Sequence, residues 1–157
     1  EYLKNKAGVF VTIMNGKRLR GCIGTYLANK ENIAQEVIDN AILAATKDYR
    51  FDRIKEDELP LLSFTVYVLK NPEPIKNLAD LNPEKYGIIV KNIPVPFSEK
   101  KDSIFEDWPR QKSGLLLPDL EGIETAEDQV LIACQKAGID PKKEEIIIYR
   151  FLADKLE

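Results

Sequence analysis

Gly8-Val9-Phe10-Val11-Thr12-Ile13-Met14-Asn15-Gly16-Lys17-Arg18-Leu19-Arg20-Gly21-Cys22-Ile23-Gly24-Thr25 sets two runs of strand-forming residues around Asn15-Gly16. β-Branched and aromatic side chains suit a pleated, half-buried surface, and Asn-Gly is the strongest two-residue hairpin signal. With Asn15 and Gly16 as the turn, Met14 is expected opposite Lys17, Thr12 opposite Leu19, and Phe10 opposite Gly21. Alternation along a strand then puts Val9, Val11 and Ile13 on one face with Cys22, Arg20 and Arg18. Arg20 and Cys22 point the same way. Gly21 lies under Phe10, and Gly24 supplies a bend or bulge at the strand end.

Outward from the hairpin, the same order of elements recurs. The first copy continues to a helix over Asn32–Thr46 and a strand over Leu62–Leu69. The second runs from Gly87-Ile88-Ile89-Val90 through Gly114-Leu115-Leu116-Leu117-Pro118 to a helix over Ala126–Ala137 and a strand over Ile146–Phe151. One constant shift places Gly21 on Gly114, Val37 on Val130, Ile38 on Leu131 and Ala41 on Cys134, without a gap. It also puts Arg20 on Ser113 and Cys22 on Leu115. The pattern predicts an α+β fold, a single domain over 1–157 with two related hairpin-helix-strand repeats at about 8–70 and 87–152. These form two packed subdomains around mainly antiparallel sheets. The second hairpin is longer, and its excess falls in 92–112, where Pro94, Pro96, Pro109 and mixed charge mark an irregular insertion. Phe105 and Trp108 make that insertion a candidate contact surface.

Local signals delimit the helices. Ile33, Val37, Ile38, Ala41, Ala44 and Ala45 recur at helical spacing as the expected buried stripe of the first. Thr125 with Asp128 resembles a capping box, and Gly138 before Pro141 reads as a C-cap.

Composition narrows the chemistry. The 157 residues are 44% hydrophobic with net charge −3, enough for a real core and unlike an indiscriminate nucleic-acid binder. No apolar run reaches membrane-spanning length. The 2 cysteines lack metal-type spacing, which suits a reducing, cytoplasmic setting. There is no histidine, which removes Ser-His and Cys-His dyads and imidazole metal sites from this chain. No metal or cofactor is expected.

Candidate functional residues cluster at the hairpin and the first helix exit. Cys22 is either a small apolar core seat beside Val9 or a nucleophilic thiolate activated by Arg20. Arg20 is either a structural ion pair or a fork for a carboxylate or phosphate, assisted by the backbone around Gly21, Gly24 and Thr25. In Asp48-Tyr49-Arg50-Phe51, the structural reading is a helix-exit turn anchored by Phe51. The functional one has Asp48 and Arg50 facing Arg20 across a cleft between repeats.

Gly8 to Thr12, Leu19 to Thr25, Asp48 to Phe51, Gly114 to Asp119, Lys136-Ala137-Gly138 and Tyr149-Arg150-Phe151 together resemble the AMMECR-type domain family. The resemblance runs in order along nearly the whole chain and implies an α+β fold of two related subdomains. Against the family pattern, the usual N-terminal helical extension is expected to be absent and the 92–112 excursion longer. The wording of Gly114 to Gly122 and of Gly138-Ile139-Asp140-Pro141 is most similar to bacterial forms fused behind, or encoded beside, a Memo-type domain and a radical-SAM protein. The chain is then expected to be an excised C-terminal domain. The resemblance implies an accessory or ligand- and partner-binding module working with those proteins. The alternative is an enzyme acting on a small anionic molecule or nucleotide, with Arg20 binding the anion and Cys22 as nucleophile.

Overall fold

A computed structural model describes residues 2–93 and 111–157. Most of the 92–112 excursion, with Phe105 and Trp108, lies outside the described residues. The chain divides into two compact units, Pro72–Leu152 and a first unit made of Glu1–Asn71 with Ala153–Glu157.

In the first unit, β1 (Val9–Asn15) and β2 (Arg18–Thr25) form the expected hairpin, followed by α1 (Ile33–Thr46) and β3 (Leu62–Leu69). A last strand, β8 (Ala153–Leu156), returns to pair with β3 and gives the antiparallel order β2-β1-β3-β8. Val9, Val11, Ile13 and Val68 pack with Ile33 and Ala44 of α1 as this unit's core. Asn32 caps α1 by accepting the Gln35 amide at 3.0 Å.

The hairpin register differs from the sequence expectation. Gly16, at φ 57°, and Lys17 form the turn, and Asn15 pairs with Arg18. Only the first turn residue takes a positive φ, the pattern of a Gly-X turn. Met14 then faces Leu19, but Ile13 faces Gly21, so Arg20 is the extra residue of a bulge. Phe10 lies opposite Gly24, and Cys22 opposite Thr12. Cys22 therefore sits on the face opposite Val9, Val11 and Ile13, away from the core seat the sequence suggested.

Gly21 lies under α1 instead of under Phe10: a Cβ there would come 2.2 Å from the Ala44 carbonyl oxygen. Gly24 is the glycine under Phe10, where a Cβ would lie 2.3 Å from the ring. The helix stripe also departs from expectation. Ile38 is 58% exposed, while Glu36 and Asn40 are buried among the apolar positions.

The second unit holds β4 (Glu73–Pro74), β5 (Gly87–Asn92), β6 (Ser113–Leu116), α2 (Ala126–Ala137) and β7 (Ile146–Phe151), with sheet order β4-β7-β5-β6. Thr125 caps α2 through the Asp128 amide at 3.1 Å, and Gly138 ends it in the left-handed region at φ 64°. Ile88, Val90, Leu116, Ala133 and Cys134 form the core, and burial raises the Cys134 thiol pKa. Gly114 lies against the Ala133 carbonyl, so the helix residue matching Ala44 in this contact is Ala133 and not Ala137. The ungapped shift thus misplaces the helices by one turn. Arg150 is paired with Glu73 at 2.7 Å and stacks on Tyr86. No helix among the described residues is long and apolar enough to cross a membrane.

Candidate functional site

β2 is an edge strand, so half of its backbone groups have no strand partner. At Cys22 those groups are met by side chains from the α1 exit. The Cys22 amide donates to Asp48 Oδ2 at 2.9 Å, and Arg50 Nη2 donates to the Cys22 carbonyl at 3.3 Å. The acceptor and donor of one carboxylate–guanidinium pair thus stand in for a missing strand. The sequence forms this locally: Asp48 Oδ1 accepts the Arg50 amide at 3.2 Å, closing an Asx turn that folds Arg50 back. Arg50 then grips Asp48 with two bonds, Nε to Oδ1 at 2.9 Å and Nη2 to Oδ2 at 2.7 Å. Its guanidinium also lies 5.3 Å from the Phe51 ring centroid.

Asp48 is buried, yet its carboxyl pKa is lowered to about 2. The Arg50 hydrogen bonds outweigh the upward push of burial, and the Cys22 and Arg50 amides add to the effect.

Arg20 makes the second bidentate pair. Its Nε and Nη2 donate to Glu58 Oε2 and Oε1 at 2.8 and 2.9 Å, and Nη1 reaches the Asp52 carbonyl at 3.3 Å. Glu58 also accepts the Lys55 amide at 3.0 Å, and Arg20 with that amide lowers its pKa to about 2. The bulge frees Arg20 from a paired register position, the local irregularity by which strands re-aim a side chain.

Arg20, Arg50 and Phe51 border one open depression of about 490 Å³, shared with Asn15, Arg18, Asp52, Arg53, Lys55, Asp57 and Glu58. Five cationic and three carboxylate side chains border it, with Asp48 behind Arg50 as a fourth carboxylate, a small local positive excess on a chain of net charge −3. Among the described residues Arg18, Arg53 and Lys55 have no ion pair. Arg50, held by Asp48 through Nε and Nη2, keeps its Nη1 donors toward solvent, which is chemistry suited to a carboxylate or phosphate.

The sequence-predicted residues therefore separate. Arg20, Asp48 and Arg50 meet within the first unit, not across a cleft between repeats. The Cys22 backbone belongs to this site. Its half-buried thiol does not line the depression and lies 3.3 Å from the Thr12 hydroxyl. Gly21 is buried under α1, which accounts for its lack of a side chain. Thr25 joins a separate network, donating to Glu36 Oε1 at 2.7 Å. Glu36 also accepts the Asn29 and Lys30 amides at 2.8 and 2.9 Å. Burial raises its pKa, but these bonds and Asn40 bring the net value below the ordinary one.

Sequence reasoning missed Glu58 and Glu36. Glu58 stands in the acidic run Glu56-Asp57-Glu58, where nothing local singles it out. Glu36 and Asn40, one turn apart amid apolar positions, carried a signal that was available. Among the described residues no three His, Cys, Asp or Glu side chains are grouped to hold a metal ion.

The AMMECR1 family profile matches residues 1–156. A Thermotoga maritima protein is 44% identical over 99% of this chain and 80% of its own length. A Clostridium acetobutylicum protein is 41% identical over 96% of this chain, which spans only 28% of that longer protein. The crystal structure of an uncharacterized protein from Pyrococcus horikoshii superposes with TM-score 0.76 at 30% identity, covering 98% of this chain and 74% of that one. On these matches, the chain belongs to the AMMECR1 family.

Proposed function

We propose that this domain is a noncatalytic accessory module, cytoplasmic, that binds an anionic group of a ligand or partner through the Arg-rich depression of its first unit. In this reading it works beside a Memo-type domain and a radical-SAM protein. The observation that carries the binding role is the pair of carboxylate-locked guanidiniums, Arg20 and Arg50, on one open depression with Arg18, Arg53 and Lys55. Asp48 locks Arg50 before a ligand arrives, which reduces the side-chain entropy lost on binding. Arg20 and Arg50 fix position, and the other three cations add attraction.

The enzymatic alternative keeps Arg20 as anion binder and assigns Cys22 as nucleophile. Its support is the incompletely buried thiol. The placement of the thiol favours the accessory reading instead: it is engaged by Thr12 and does not line the depression that Arg20 borders.

The test is the affinity of the native domain and of an Arg53→Ala/Lys55→Ala variant for inorganic phosphate and for glutarate. Loss of two cations from an open site is expected to weaken the bound anion about tenfold with melting temperature nearly unchanged. No measurable binding of either anion by the native domain would overturn the reading.

A further inference from the structure

We propose that Glu58 occupies Arg20 as a built-in stand-in for a partner's carboxylate, and that an acidic peptide segment docks by exchanging with it. The inference rests on the anion-binding reading of the same depression and names its ligand class. Two ion pairs of matching geometry differ in how they are held. The Asp48 side chain is 4% exposed and also satisfies the Cys22 amide, so displacing it would strand an edge-strand backbone group. The Glu58 side chain is 25% exposed and sits on a 3-10 turn, Glu56–Leu61, that buries none of its residues.

Little of that turn is buried. Leu59 and Leu61 are 53% and 64% exposed, and Glu58 ties the turn to β2 through Arg20. Releasing Glu58 sends one carboxylate to water while another takes its place on the same fork. Charge on Arg20 is conserved, and no buried polar atom is left unmet. The existing contact shows what the fork accepts: a planar carboxylate gripped at 2.8 and 2.9 Å. Arg18, Arg53 and Lys55 remain beside it for further acidic side chains, which favours a segment with several carboxylates over a single small anion.

The test is calorimetric titration of hexaglutamate into the native domain and a Glu58→Gln variant. Removing an internal competitor raises the binding-competent fraction, so the variant is expected to bind about fivefold tighter. A second readout uses the native protein alone. At neutral pH, saturation with hexaglutamate should move the Glu58 carboxyl carbon NMR signal as its two bonds to Arg20 are lost. Equal affinity of the two proteins, or a Glu58 carboxyl signal unmoved at saturation, would overturn the exchange and leave the anion site standing. Failure of hexaglutamate, phosphate and glutarate alike to bind the native domain would overturn both.

Discussion

Asp48 couples charge to stability, because Arg50 holds its carboxyl at about 2 against the upward push of burial. Its pKa is depressed on folding, so the stabilisation is present above the unfolded value, near 4, and is lost as pH falls toward about 2. Denaturant unfolding between those limits should show stability declining. Asp48→Asn should lessen that decline, to which Glu58 also contributes, and cost about 1–3 kcal/mol at neutral pH. Gly21→Ala forces a Cβ to 2.2 Å from a backbone oxygen that cannot rotate away, so a loss of about 3 kcal/mol in the same assay is expected. Cys22→Ser keeps a hydroxyl beside Thr12 on the face away from Val9, and calorimetry should find stability within about 1 kcal/mol of the native domain. At this scale the sequence pointed to Arg20, Asp48 and Arg50 through residue type and position. It did not reveal Glu58, because three adjacent acids offer equal charge and only the folded turn selects one.

Elements were more legible than their faces. Strand-rich runs, the Thr125 cap and the Gly138 stop are local signals, and the structure forms those elements where expected. The hairpin register was not local. It depends on which two residues turn and on a bulge at Arg20 that the α1 exit and the turn at Glu56–Leu61 support from outside the hairpin. The face of α1 was obscured by a buried acid. Hydrophobicity assigns Ile38 inward and Glu36 outward, but Glu36 is needed inside to hold the chain from Thr25 to Lys30. Glu36→Ala should therefore accelerate hydrogen exchange at the Asn29 and Lys30 amides and cost about 3 kcal/mol. Unchanged exchange there would show that the loop has other support.

For the molecule as a whole, the order hairpin, helix, strand could be read twice from hydrophobic periodicity, and each unit displays it. The return of β8 to β3 could not, since Ala153-Asp154-Lys155-Leu156 carries little strand signal and pairs with residues far away in sequence. Deleting residues 153–157 should lower amide protection in β3 and leave β5 and β7 unaffected, because β8 completes only the first unit. The basic depression belongs to that unit alone, and the role proposed for the domain depends on it. The most direct test is nitrogen–proton NMR of the arginine side chains in the native domain during titration with glutarate. The expected result is saturable movement of the Arg20 and Arg50 Nε–H signals together with Arg18 and Arg53, while Arg150 in the second unit stays still. Uniform drift of every arginine, or movement of none, would contradict a binding site at this depression.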